Sequence, residues 1–252
     1  TAMSLLEVEV NRVRTLLTSP PSAALDWKDL KTFPKTQHAG LILKSDMAVE
    51  LGAPERPSAG LSLYSNDNAS DSVHLIGRPL EALTGQSVSF AEIVILHGET
   101  VDAETFYQFG IRRQRLSDFP GWMVKSTGGK VWVRTAAIDG EMPSFDAAAA
   151  TFIARVHDAF SQVTGVELWY VTECDELIAQ LFEESRTLSE ATQSLKEGVW
   201  KARGFDYKSC QLSGHCGGCA DKKTCASVRG MEARVKIHRR QQSQPINSTS
   251  ES

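Results

Sequence analysis

Apolar residues in the first stretch fall at Leu5, Leu6, Val8, Val10, Val13, Leu16 and Leu17. That spacing covers one face of a helix from Met3 to Leu17, with Arg12 and Arg14 on its wet side. Thr18-Ser19-Pro20-Pro21 ends it. A polar region with Trp27 and Phe33 follows, and Gly40-Leu41-Ile42-Leu43 opens a more regular part. Ser58 to Ser65 alternates and breaks at Asn66-Asp67-Asn68, and Val73-His74-Leu75-Ile76-Gly77 is a short apolar run. Phe90 to His97 is continuous and bounded by Gly98, the pattern of a buried strand. Asp102 to Leu116 has helical spacing through Phe106, Phe109 and Leu116, and Pro120-Gly121 stops it. Lys130 to Arg134 reads as a strand after a Gly128-Gly129 turn. Phe145 to Thr164 is an alanine-rich helix, Val166 to Val171 a strand, Cys174 to Thr187 a helix and Ser189 to Ala202 a further one.

Strand–helix–strand–helix order predicts an α/β fold: a mixed sheet flanked by helices, with a C-terminal helical, cysteine-rich metal-binding segment. The expected organisation is an N-terminal helix and extension over 1–39 and an α/β domain over 40–187. The cysteine-rich segment then spans 188–240, and a disordered tail 241–252. With 252 residues, 41% of them hydrophobic, the chain can bury a core without covalent staples. A net charge of -4 gives no general attraction to nucleic acid or to an anionic membrane, so neither is an expected partner. No segment reaches the ~20 apolar residues that a membrane span needs. No basic stretch followed by an apolar one opens the chain, so no signal peptide is expected and a cytoplasmic setting is.

Four of the five cysteines, Cys210, Cys216, Cys219 and Cys225, crowd into one short stretch as Cys-x5-Cys-x2-Cys-x5-Cys. A reducing cytoplasm favours metal over disulfide for such a cluster. Thiolate is a soft ligand, suited to iron–sulfur clusters and to zinc. Cys216-Gly217-Gly218-Cys219 allows a tight turn that points two sulfurs at one metal, and Cys210 and Cys225 close the set from either side. A [4Fe–4S] cluster takes four cysteines, and so does a structural zinc. Zinc more often uses two separated Cys-x2-Cys knuckles; one such pair with longer arms leans toward iron–sulfur. The plainer reading is a disulfide-rich tail or incidental thiols. His215 can face a cluster sulfur, though an exposed loop histidine is the simpler reading. Lys222 and Lys223 can offset cluster charge, or simply make a solvated turn.

Three places resemble the β subunit of the carbon monoxide dehydrogenase/acetyl-CoA synthase complex, the acetyl-CoA synthase proper. One is Ser45-Asp46-Met47-Ala48-Val49-Glu50-Leu51-Gly52. The second runs from Phe106 to Phe119, with Arg112-Arg113 and Asp118-Phe119, followed by Gly121-Trp122 and then Trp132-Val133-Arg134. The third is Tyr207-Lys208-Ser209-Cys210-Gln211-Leu212-Ser213, which resembles the family's approach to its metal site. The likeness spans residues 40–225 with sparse identity; the common order of the patches carries it.

The departures are chemical. In the family that approach holds two cysteines, and the second bridges an iron–sulfur cube to nickel. Here Ser213 stands at that position, and a hydroxyl is a poor bridge between soft metals. The family's later Cys-Gly-Cys, which holds a second nickel, has no counterpart here. Cys210, Cys216, Cys219 and Cys225 can then supply all four corners of a cube, leaving no open iron. The resemblance implies an electron-transfer, docking or accessory component of corrinoid-linked one-carbon metabolism, with a corrinoid protein or redox protein as partner. Nickel-centred acetyl-CoA synthesis by this chain alone is not expected. The competing expectations are a zinc-stabilised interaction module and an enzyme with its site in the α/β domain, near His97 and the arginine helix.

Other candidates have plainer readings. Lys125 to Lys130 is basic and glycine-rich, fit for a phosphate but also for a hairpin turn. Arg112, Arg113 and Arg115 can grip an anion such as a coenzyme A phosphate, or form a solvated face. His74 and His97 sit on apolar strands where a ligand site can lie, or are satisfied edge histidines. Cys174 begins a helix, and without a visible base it reads as a buried small side chain. Met231 to Arg240 is basic, fit to touch RNA or a phosphate, but reads better as a charged helix end before a disordered tail.

Overall fold

A computed structural model describes residues 2–28, 30, 48–137 and 142–202, with side chains from Leu6 onward. The chain divides into a compact unit, Thr1–Val199, and a second, Trp200–Ser252. The first is mixed α/β. Its elements are α1 (Ala2–Thr18), β1 (Ala23–Ala24), β2 (Val49–Leu51), β3 (Ser58–Ser65), β4 (Ser72–Ile76), β5 (Ser87–Val88), β6 (Phe90–His97), α2 (Ala103–Leu116), β7 (Trp122–Thr127), β8 (Lys130–Thr135), α3 (Phe145–Ala159), β9 (Gly165–Thr172) and α4 (Asp175–Ala202). Cys210, Cys216, Cys219 and Cys225, the 241–252 tail and the segment opened by Gly40 lie outside the described residues.

The strands form two mixed sheets where the sequence pattern predicted one. The larger runs β1-β4-β9-β6-β3 and the smaller β5-β2-β8-β7. In the larger, β3 pairs parallel to β6, β6 antiparallel to β9, and β9 parallel to β4. Every residue of β6 and β9 is buried, because helices cover both faces and an unbroken apolar run suits such a strand. Side chains alternate between the faces. Glu92, opposite Tyr170, therefore points one way, and Ile95, opposite Glu167, the other. The Glu92 face carries α2, α3 and an aromatic core in which Phe145 stacks on Tyr170 at 4.8 Å and Trp122 meets Phe145 edge-on at 6.0 Å. The Glu167 face carries α1, whose Leu6, Val10, Val13 and Leu17 are buried. Val8, counted among the apolar positions of that helix, points into solvent.

Capping explains where the helices begin. Asp102 accepts a hydrogen bond from the Thr105 N–H at 2.8 Å, and Ser144 from the Ala147 N–H at 3.1 Å. Helix α3 ends at Ala159, short of the Thr164 expected from its pattern. Phe160 leaves the helical region and turns its ring edge-on to Phe109 at 6.0 Å. The Thr164 N–H then bonds to the His97 carbonyl at 2.8 Å, so the sheet satisfies what a further helical turn would have. The two helices expected around residue 188 are one. Ile178, Leu181, Glu184, Leu188, Ala191, Leu195 and Val199 form a single buried stripe at helical spacing, with no proline to break it.

The β7–β8 hairpin closes through Gly128 and Gly129, both at positive φ (58° and 80°), as a two-residue turn requires. The expected turn at Lys125–Lys130 is thus observed. The Gly60 N–H donates to the Gly129 carbonyl at 2.8 Å, tying the small sheet to edge strand β3. A Cβ at Gly60 would stand 3.3 Å from the Val131 Cβ, so the bare glycine lets the two sheets approach.

Candidate functional site

Strand register brings four charged groups to one end of the larger sheet. Ser65 closes β3 opposite His97, the last residue of β6, and Gly165 opens β9 opposite the same histidine. Asp67 follows two residues after β3, and Glu167 lies two residues into β9. Arg14, in the last turns of α1, reaches down onto them. The apolar spacing puts Arg14 on the wet side of its helix. In the structure its guanidinium donates to Glu167 Oε2 from Nη2 at 2.6 Å and from Nε at 3.1 Å. Trp169 Nε1 donates to Glu167 Oε1 at 2.7 Å. His97 Nδ1 bonds to Asp67 Oδ1, and Arg14 Nη1 lies 3.9 Å from Asp67 Oδ2.

His97 has no exposed surface, while the Asp67 side chain is about half exposed (49%). The His97 Nε2 stands 3.3 Å from Glu167 Oε2 without an aligned hydrogen bond. A lone pair there would face a carboxylate, whereas a proton is drawn to it. Burial works against charge on His97, yet Glu167 and Asp67 outweigh it and raise its pKa. Burial likewise works against charge on Glu167, but His97, Arg14 and Trp169 hold its pKa down at about 2. Asp67 is lowered for the same reason: the His97 bond overcomes partial burial. His74 lies on β4 and stacks on Trp169 at 4.1 Å, and burial lowers its pKa.

The result is an ionic cluster that joins a helix, a loop and two strands. His97 itself is fully buried, and through Arg14 the cluster fastens α1 to the end of the larger sheet. The arginine helix lies on the opposite sheet face. There Arg113 Nη1 donates to the Leu61 carbonyl and to Ser62 Oγ, both at 2.7 Å, and Nη2 to Glu92 Oε2 at 2.9 Å and to the Glu92 carbonyl at 3.0 Å. His97 and Arg113, placed together in one reading of the sequence, are therefore separated by the sheet, and Arg113 is committed to the core. Arg112 and Arg115 are exposed, and Arg112 lies over the Phe160 ring at 5.6 Å.

His215, Lys222, Lys223 and the basic stretch Met231 to Arg240 lie outside the described residues. Lys125 Nζ lies over Trp132 at 5.4 Å and Lys130 Nζ over Phe182 at 5.6 Å. Cys174 is half-buried, and its carbonyl accepts the Ile178 N–H at 2.9 Å. Burial, then Glu173 and Asp175, push its thiol pKa up, the reverse of an activated nucleophile. Glu92, a carboxylate inside the apolar run Phe90–His97, is the sequence signal for a buried partner such as Arg113. Among the described residues, no group of three or more His, Cys, Asp or Glu is placed to hold a metal ion. No helix among them is long and apolar enough to cross a membrane. No protein-family model and no curated protein matches the chain.

Proposed function

We propose that the protein is an iron–sulfur protein in which Cys210, Cys216, Cys219 and Cys225 hold a [4Fe–4S] cluster. It acts as an electron-transfer, docking or accessory component of corrinoid-linked one-carbon metabolism in a reducing cytoplasm. The observation that carries this reading is the spacing Cys-x5-Cys-x2-Cys-x5-Cys in a chain whose one other cysteine, Cys174, lies far off in sequence. The donor set is four thiolates, the soft ligands such a cluster takes. When bound, the cluster supplies one-electron chemistry.

The residues around those thiols argue against nickel chemistry. Ser213 offers a hydroxyl at the position where acetyl-CoA synthases carry their bridging cysteine, and a hard, weakly acidic oxygen does not bridge soft metals. The larger unit fits an accessory role. Its His97 is fully buried beside Asp67, and the nearest cysteine in sequence, Cys174, has a raised thiol pKa. The family resemblance supplies the proposed partner, a corrinoid or redox protein.

Structural zinc on the same four thiolates is the second reading, since sites built from four cysteines are common for that ion. Purification of the full chain without oxygen, followed by iron, sulfide and zinc analysis, separates the two. Iron with matching sulfide and a broad thiolate-to-iron absorption supports the cluster. Zinc alone supports the interaction module, and stoichiometric nickel contradicts the inference from Ser213.

A further inference from the structure

We propose that the outward face of α2, centred on Ile111, docks an acidic protein surface. The inference gives a place to the docking role proposed above, but it stands on α2 alone and does not depend on the metal. Helix α2 buries Phe106, Phe109 and Leu116. At about 100° per residue, Tyr107, Ile111 and Arg115 run in one line along the opposite side. Gly110 and Gln114 border that line. Arg112 stands on the flank beside Phe160, which follows α3. Ile111 is 58% exposed. A lone exposed aliphatic side chain is ordinary, so the case rests on what surrounds it.

Two independent features do. The first is charge. Among the described residues, six arginines form ion pairs with glutamates. Arg112 and Arg115 are exposed, and among the described residues they form none. The Phe160 ring, 5.6 Å from the Arg112 guanidinium, steadies that side chain without using its N–H donors. Arg113 is bound to Glu92 in the core. Arg155 donates to the Leu116 and Asp118 carbonyls at 3.2 and 2.7 Å, so it caps α2 and adds nothing to the docking charge. The second feature is Gly110. Glycine inside a helix is less stable than alanine, yet a Cβ at Gly110 would meet nothing within 4 Å. The protein's own packing does not need the glycine, whereas bare backbone lets a partner approach closely. The occupant follows by elimination. Small-ligand sites are concave, and the outside of a helix is convex. The net charge of -4 works against nucleic acid. A second copy related by a two-fold axis would set these arginines against their like. An acidic surface with an apolar residue for Ile111 satisfies both the charge and the anchor.

Amide NMR shifts of the full chain, titrated with a short helical peptide of glutamates and leucines, test this. Shifts should concentrate at residues 107–115, and raising salt from about 50 to about 300 mM should weaken binding severalfold. Arg115→Glu should weaken it at least about fivefold. Arg56→Glu makes the same change of net charge at another exposed arginine, and should alter binding less than about twofold. Gly110→Leu should keep the far-ultraviolet circular dichroism of the unaltered protein and weaken binding at least about fivefold. No shift at 107–115, an equal loss in Arg56→Glu, or undiminished binding in Gly110→Leu overturns the proposal. Tighter binding of pyrophosphate or oligouridylate at the same amides would make the face an anion or RNA site. Shifts at 107–115 that grow with protein concentration alone would make it an interface between copies. Either result also overturns the proposal. Iron and sulfide measured on the same samples test the cluster separately.

Discussion

Arg113 on α2 donates to Glu92 Oε2 at 2.9 Å and to the Glu92 carbonyl at 3.0 Å, inside a strand whose every residue is buried. Glu92 is 2% exposed and lies opposite Tyr170 in the β6–β9 register. Burial pushes the Tyr170 hydroxyl pKa well up, and Glu92 adds to the effect. The pair couples α2 to the centre of the sheet.

Removing one partner strands a charge without solvent. Arg113→Leu should cost about 3–5 kcal/mol of stability. The double change Arg113→Leu with Glu92→Leu should cost less than the sum of the two single changes, since each alone leaves an unpaired group. Urea denaturation of the three variants checks this, and additive costs would show that the pair is not coupled.

Glu167 sets the acid limit of the α1 anchor. Its pKa is depressed to about 2, so its contribution is present above the ordinary 4.5 and is lost as pH falls toward the folded value. In Glu167→Gln, the part of the stability that falls away between pH 4.5 and pH 2 should shrink by on the order of 2 kcal/mol. Denaturant midpoints measured across that range in both proteins test it; identical acid dependence would count against the contact.

The two hairpin glycines should differ. Gly128 and Gly129 both have positive φ, but a Cβ on Gly128 meets nothing, whereas on Gly129 it meets the Ser185 side chain. Gly128→Ala should cost about 1–2 kcal/mol from backbone strain alone. Gly129→Ala should cost more and loosen the hairpin from α4. Thermal unfolding of the two variants gives the order, and equal costs would deny the contact with α4.

Much of this architecture was legible in the chain. Phe90–His97 reads as a buried strand because it is a continuous apolar run bounded by Gly98, and the helix reads from the spacing of Phe106, Phe109 and Leu116, with the Asp102 cap seen only in the structure. Local pattern could not reveal where α3 stops, since Phe160 leaves the helix for a distant partner, Phe109. Strands β1, β2 and β5, of two or three residues, carry too little pattern to be seen. The second sheet depends on how Gly60 lets Val131 approach, which only the tertiary arrangement shows. At the sheet end, His97 stood out as a polar residue closing an apolar strand. Its partners, Asp67 and Glu167, come from a loop and another strand, and Arg14, which pairs with Glu167 from a helix, is 153 positions from it. Sequence spacing does not bring such residues together. Cys210, Cys216, Cys219 and Cys225 are the reverse case, since short spacing alone carries the metal proposal.

The thiols themselves can be probed one at a time. Cys219→Ala removes a corner of the proposed cluster and should lower bound iron severalfold, with the far-ultraviolet circular dichroism of the α/β unit unchanged. Cys174→Ala should leave iron content as it was, because that thiol lies outside the cluster segment. A matching loss in both variants would mean the iron is not held by the four clustered cysteines.

The most direct measurement is metal and acid-labile sulfide content of the full chain, isolated without oxygen. About four iron and four sulfide per chain are expected for a [4Fe–4S] cluster on Cys210, Cys216, Cys219 and Cys225. Protein free of iron and sulfide, carrying zinc alone or with those thiols joined as disulfides, would contradict the proposal.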